Sequence, residues 1–224
     1  MNDAQTLKVI ARIKSDFPTK FGIPRQSGLA PSLTAKIIFE KEFQSPEALF
    51  GLENFSHIWL VWGFSEAKNE VWSPTVRPPR LGGNKKVGVF ATRSPFRPNS
   101  LALSAVKIEK IKNGEIFVSG ADLMDGTPIY DIKPYLPAVD SITSATDLFD
   151  KIVEKEPLEV VISDEFAGKI PAEKLGSLKE ILSLDPRPAY QNDPVRIYGF
   201  QFTGHEIKFK VEENILVVIS VEKI

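Results

Sequence analysis

The chain of 224 residues contains no cysteine. Disulfides, thiolate metal sites and cysteine nucleophiles are therefore excluded. Histidine is scarce: only His57 and His205 are available as imidazoles, too few for a histidine-built metal centre. No segment approaches the roughly 18 consecutive apolar residues of a membrane-spanning helix. The N-terminal MNDAQTLKVIARIK lacks the apolar run of a signal peptide. An excess of either charge is missing as well, the net value being -1. A polyanionic partner would have to be met by a local patch, not by the field of the whole molecule. These absences lead to the expectation of a soluble, cytoplasmic, reduced protein that uses no metal and enters no membrane.

What is present is a β-rich pattern. Apolar residues make up 42% of the chain, enough for a sizeable core. Leu7 to Lys14 alternates, with Val9, Ala11 and Ile13 on one side, which predicts a strand. Thr34 to Glu40 predicts another, and His57 to Phe64, apolar at nearly every position, predicts one buried on both faces. Ser45-Pro46-Glu47 has the residues of a short helix start, ending near Gly51. Asn113-Gly114 between Leu101–Ile111 and Glu115–Gly120 is a hairpin signal. A short strand around Ile129 to Ile132 follows, whereas Ser73 to Asn84 is too rich in proline, glycine and arginine for regular structure. Many short strands with frequent turns indicate a small antiparallel β-barrel. Past Pro137 the composition turns acidic. Ala172 to Leu184 then carries a helical stripe, and Val195–Phe202, Glu206–Val211 and Ile215–Val221 read as strands. The expectation is a mainly β protein: a barrel domain over 1–140 and a smaller α+β domain over 141–224.

The segment Phe90 to Ser100, FATRSPFRPNS, concentrates unusual chemistry. Its two prolines force the chain out of the sheet as a stiff loop. Arg93 and Arg97 on such a loop suit carboxylates or phosphates. Between Glu70 and Glu109 there is no acid, while Arg77, Arg80, Lys85, Lys86, Arg93, Arg97 and Lys107 alternate with Trp72, Phe90 and Phe96. Arginine interleaved with aromatic rings is suited to RNA, although charge runs are often no more than a solvated face. No Gly-x-Gly-x-x-Gly follows a strand, so nothing in the glycine pattern announces a nucleotide cofactor.

PRQSG at Pro24–Gly28, FSHIW at Phe55–Trp59, TVRPPRLGGN at Thr75–Asn84, GVFATRSPFRPNSL at Gly88–Leu101, DLMDGTPIYDIKPYLP at Asp122–Pro137 and DPRPAY at Asp185–Tyr190 occur in this order. Together they resemble the TrmO (YaeB/TsaA-like) family of S-adenosylmethionine-dependent tRNA methyltransferases, over almost the whole chain. The resemblance implies a β-barrel methyl-donor site, a homodimer, and methylation of the exocyclic nitrogen of threonylcarbamoyladenosine beside the anticodon of tRNA, with no role on DNA. It places Gln26, Ser27 and Gly28 on one wall of the S-adenosylmethionine pocket and Phe64 and Ser65 on another. Ser65 departs from the histidine common there in the family. Arg93 becomes the key cationic contact in the donor pocket or toward the RNA, and Leu103 the apolar closure. Asp122, Leu123, Met124 and Asp125 become hydrogen-bonding partners of the donor. Arg77, Arg80 and Arg97 are candidates for RNA phosphates, and Arg187 and Tyr190 for completing the site of the same or the partner subunit, for the RNA contact, or only for packing the domains together.

Methyl transfer to this nitrogen also needs a route for a proton. Asp125, displayed beside Gly126, is the first candidate for the base, with Asp131 and His57 as alternatives, and direct loss to solvent as another route. Asp before Gly-Thr-Pro also caps turns, and a histidine at the edge of a buried strand also serves as a core residue. Two competing functions fit the residues. One is a non-catalytic RNA-binding barrel. The other is a hydrolase built on Asp125 and His57, for which no nucleophile elbow is present.

Overall fold

The computed structural model describes residues 5–66, 72–78, 83–146, 156–188, 191 and 193–224. Its first part is a closed barrel of antiparallel strands in the order β1-β2-β7-β6-β3-β8. These are β1 (Ala11–Lys14), β2 (Thr34–Phe39), β3 (His57–Gly63), β6 (Leu101–Lys112), β7 (Glu115–Ser119) and β8 (Pro128–Pro134). Alternation drives the closure. Ala11, Ile13, Ile37, Ile58, Leu60, Val106, Ile116, Val118 and Ile129 point inward and form one core. Asn113 and Gly114 both take positive φ (55° and 74°), the geometry a two-residue hairpin turn demands.

The β3–β8 pairing slips between Val61 and Trp62, because Val61 faces Asp131 while Trp62 faces Ile129. Tyr130 is the extra residue of this bulge, a device that re-aims side chains. Its hydroxyl folds over Gly63, where a Cβ would lie 2.6 Å from it. Only glycine allows that approach.

The second part is a sheet in the order β10-β11-β12-β9: β10 (Tyr198–Phe202), β11 (His205–Glu212), β12 (Ile215–Lys223) and β9 (Glu159–Val161). Short helices α1 (Pro137–Asp140) and α2 (Asp164–Ala167) precede α3 (Ala172–Ser183), which buries Leu178, Ile181 and Leu182 in the core beside this sheet. That core also takes in Phe17, Ala30 and Leu33, which belong to the loop between β1 and β2. The barrel therefore lends three apolar side chains to the second unit.

Some expectations need correction. The first strand begins at Ala11, not Leu7, since Leu7 is exposed. Strand β10 begins at Tyr198, not Val195, because Val195 and Ile197 are exposed and the Val195 amide is taken by the Asp193 side chain. Strand β3 is not buried on both faces: Ile58, Leu60 and Trp62 are buried, whereas Trp59 and Val61 are half-exposed. Within Ser73–Asn84, β4 (Thr75–Val76) pairs with β5 (Val87–Gly88). Strand β9 lies in the acidic stretch, where no strand was expected, and runs parallel to β12.

Candidate active site

A cavity of about 860 Å³ opens where β3 and the start of β6 leave the barrel. The loop 15–33 supplies Lys20, Arg25, Gln26 and Ser27. The exit of β3 supplies Trp62, Phe64 and Ser65, and the loop 89–100 supplies Thr92, Arg93, Phe96 and Arg97. Strand β6 adds Leu103 and Ser104, and the connection to β8 adds Asp122, Met124 and Thr127. Trp59 and Val61 also line it. Their apolar character on the outer side of β3 answers to this cavity, with Trp59 also packing on Tyr135 and donating to Asp140.

The two long loops are held differently. In the arginine-bearing loop, Pro95 and Pro98 remove amide donors, and the side chains replace them. Thr92 Oγ1 donates to the Val89 carbonyl at 2.8 Å, and Arg97 Nη1 donates to the Thr92 carbonyl at 2.8 Å and the Ser94 carbonyl at 3.4 Å. Arg97 thus braces its own loop while facing the cavity. The loop 15–33 is instead tied to its surroundings. Arg25 Nη2 donates to the carbonyls of Asp185 (3.1 Å) and Arg187 (3.4 Å). Lys174 pairs with Asp16 at 2.6 Å, and Ser177 Oγ donates to the Ser32 carbonyl at 2.8 Å. Across the cavity the two loops meet where Arg93 Nη1 donates to Gln26 Oε1.

Behind them lies a buried polar chain. The indole of Trp62 can only donate, so Ser104 Oγ accepts its N–H at 2.9 Å. The Ser104 hydroxyl is thereby turned to donate to Asp122 Oδ1 at 2.6 Å. Ser104 is 1% exposed and Trp62 is 6% exposed. Burial raises the Asp122 pKa above the ordinary carboxylate value; the Ser104 hydroxyl, the backbone of Asp122 and Ser27, and the charge of Arg93 oppose the rise without cancelling it.

The residues expected at the site divide. Gln26, Ser27, Phe64, Ser65, Arg93, Leu103, Asp122 and Met124 surround the one cavity. Leu103, at 56% exposed, is a wall residue and not core. Gly28 does not line the cavity; its amide donates to the Gly120 carbonyl at 2.9 Å. Leu123 is buried in the barrel core, and its carbonyl accepts from Ser15 Oγ. Asp125 faces away from the cavity: Oδ2 pairs with Lys14 at 2.7 Å and Oδ1 accepts the Ser15 amide at 2.9 Å. Asp131 pairs with Lys133 at 2.8 Å on β8 and does not line the cavity. His57 stands at the far end of β3, bonded to Ser56 and beside Tyr135, half-exposed and not core. None of the three expected bases lines this cavity.

Arg187 is not a surface contact. It is 6% exposed and doubly bonded to Asp185, at 2.7 Å through Nε and 3.0 Å through Nη2. Arg77 is exposed next to β4. Arg80 and Tyr190 lie outside the described residues. Sequence reasoning missed Trp62, Ser104, Thr92 and Thr127. Trp72 and Phe90, both exposed, stand with ring centroids 6.2 Å apart, Phe90 on the arginine-bearing loop shortly before Arg93. Among the described residues no group of three metal-ligating side chains converges, and no helix is long and apolar enough to cross a membrane.

Comparison with known proteins finds two family matches along the chain. A family model described as the tRNA-methyltransferase O N-terminal domain matches residues 12–141, and the TrmO C-terminal domain matches 155–224. The chain is 45% identical over 172 residues to a tRNA (adenine(37)-N6)-methyltransferase of Eikenella corrodens, covering 75% of this chain and 97% of that one. It is 34% identical over 136 residues to an S-adenosyl-L-methionine-binding protein of Archaeoglobus fulgidus, covering 61% of this chain and 93% of that one. A crystal structure of TrmO superposes with a TM-score of 0.79 at 31% identity, covering 98% of this chain and 99% of the other.

Proposed function

We propose that this chain, which belongs to the tRNA-methyltransferase O (TrmO) family, is an S-adenosylmethionine-dependent methyltransferase acting on adenine N6 in tRNA. The observation that carries the reading is the convergence of Arg93, Gln26, Phe64 and Asp122 on one cavity. Its volume of about 860 Å³ falls within the range of cofactor sites, and its lining suits each part of the donor. Arg93 offers charge-assisted bonds to a carboxylate. Trp62 and Phe64, in edge contact with centroids 4.6 Å apart, offer aromatic surface to a cation or a purine. Leu103 supplies apolar cover. S-adenosylmethionine brings a methyl group on an electron-poor sulfonium. The chain's part is to position and desolvate the reacting groups and to manage one proton.

The finer substrate is threonylcarbamoyladenosine beside the anticodon. Charge supports it: among the described residues, the cations Lys20, Arg25, Arg93 and Arg97 line the cavity against the carboxylates Asp122 and Glu66. After the donor carboxylate is met, positive charge remains for an acidic substituent on the base. Arg77, with the exposed Trp72–Phe90 pair and the exposed Lys85 and Lys86, provides the RNA-facing rim. The protein works in the cytoplasm as a homodimer. Residues 1–140 carry donor binding, and 141–224 support the site from behind.

The test is transfer of labelled methyl to tRNA carrying threonylcarbamoyladenosine, against the same tRNA lacking that group. Saturable uptake into the modified tRNA alone supports the full reading. Equal uptake into both discards the substrate detail. RNA binding with no binding of S-adenosylhomocysteine by calorimetry replaces the enzyme with a non-catalytic RNA-binding barrel.

A further inference from the structure

The geometry points to Asp122 as the proton acceptor of the reaction, oriented by Ser104 and Trp62. The inference rests on the reading of the cavity as a methyl-transfer site. The target nitrogen is a poor nucleophile when its lone pair is delocalised into a carbamoyl group, so the proton must leave as the new bond forms. Asp125, Asp131 and His57 do not reach the cavity. Glu66 does, but it sits on the outer rim, half its side chain exposed, with Lys20 at 3.8 Å. Asp122 is the inner carboxylate.

Its surroundings favour a base over a static anchor. The Trp62 indole fixes the Ser104 hydroxyl, and that hydroxyl fixes Oδ1. Because the indole nitrogen cannot accept, the chain conducts no proton onward and acts only to orient and hold the carboxylate. Register explains the meeting. Leu60 pairs with Ser104 and Trp62 with Ala102, so Trp62 and Ser104 lie on one face of adjacent strands, and Asp122 follows the end of β7 just below them. Among the described residues, the charged groups sharing the cavity with Asp122 are Lys20, Arg25, Glu66, Arg93 and Arg97. Of these, Arg93 acts on Asp122 to hold it ionised, against the burial that raises its pKa. Strands β3 and β6 contribute no charged side chain to the lining. A carboxylate whose affinity for a proton burial has moved upward, held in place by the Ser104 hydroxyl, is suited to take a proton in the transition state.

In the step, N6 forms its bond to the methyl carbon, the methyl–sulfur electron pair stays on sulfur, and the N6 proton passes to Asp122. A carboxylate and a sulfonium become a carboxylic acid and a thioether, so charge balances. Release of the proton to water restores Asp122.

The experiment uses the full-length protein, with Asp122→Asn and Ser104→Ala. Calorimetry with S-adenosylhomocysteine measures binding, single-turnover transfer to modified tRNA measures the step, and difference infrared titration of wild type against Asp122→Asn follows the carboxyl band. Asp122→Asn is expected to bind S-adenosylhomocysteine within about threefold of wild type and to lose roughly 100-fold or more in the single-turnover rate. The infrared band is expected to titrate above the ordinary aspartate range. Ser104→Ala removes a donor to the ionised form. The Asp122 pKa then rises, and the acidic limb of the rate profile moves to higher pH, as does the infrared titration. Loss of S-adenosylhomocysteine binding in Asp122→Asn makes the residue an anchor and overturns the inference. Wild-type turnover in Asp122→Asn overturns it as well. A wild-type protein that transfers no methyl group defeats the functional reading itself, which the wild-type control separates from the other outcomes.

Discussion

The two loops that wall the cavity solve one problem in opposite ways. The loop 15–33 is fastened from outside: Arg25 to the Asp185–Arg187 turn, Asp16 to Lys174, Ser32 to Ser177, and Phe17 and Leu33 into the second core. The loop 89–100 is fastened from within, by its prolines and by Arg97 and Thr92 reaching back to their own backbone. One wall therefore inherits its shape from the C-terminal unit, and the other carries its shape in local sequence. Damage to the first should spread to global stability, and damage to the second should stay at the site.

That contrast can be broken or sharpened by mutation. The largest effect is expected from Asp185→Asn, which removes the carboxylate doubly bonded to buried Arg187 beneath the turn that Arg25 grips. A loss of about 3 kcal/mol, seen as a fall of roughly 10 °C in Tm, is expected by calorimetric melting. Unchanged melting would mean that the pinned wall is not pinned there. Next is Arg93→Ala, which cuts the link to Gln26 and removes the cationic contact. Tm should hold, while S-adenosylhomocysteine affinity falls by about 2 kcal/mol, or roughly thirtyfold. Third, Arg97→Ala should loosen the self-braced loop at about 1 kcal/mol, costing several-fold in donor affinity and again sparing Tm. An equal loss of global stability in this variant would erase the distinction between the walls. Smallest is Asp125→Asn, which breaks a largely exposed pair with Lys14. It should cost about 1 kcal/mol or less and leave the pH dependence of turnover unmoved.

Much of the barrel was legible in the sequence, because the alternation at Ala11 and Ile13, the apolar run from Ile58 to Trp62 and the turn at Asn113-Gly114 are local signals, although the apolar run did not tell which face of β3 is buried. The arginine-bearing loop was legible for the same reason, its prolines announcing an exit from the sheet. Strand β9 was not. It is three residues long, too short for a period to show, and its pairing is parallel with β12, far along the chain. The roles of the two neighbouring aspartates were not legible either. Asp122 and Asp125 stand in one motif with the same chemistry, and only the path of the backbone past Ser15 and Ser104 sends one outward to a lysine and the other inward to a hydroxyl. For Arg187 the DPRPAY motif left open a role at the site, at the RNA or between the two domains. Its burial depends on Asp185, which adopts a left-handed φ of 54° that composition does not announce.

Phe17, Ala30 and Leu33 leave the barrel's own interior to fill the neighbouring unit, with burial of Phe17 and Leu33 together contributing about 4 kcal/mol. A homologue that stops after the barrel has no socket for these plugs. It must recolour those three positions with polar residues, find another lid for them, or precipitate. Reading the corresponding columns in shorter sequences would therefore tell, before any coordinates exist, which of them stand alone and which shelter under a missing roof.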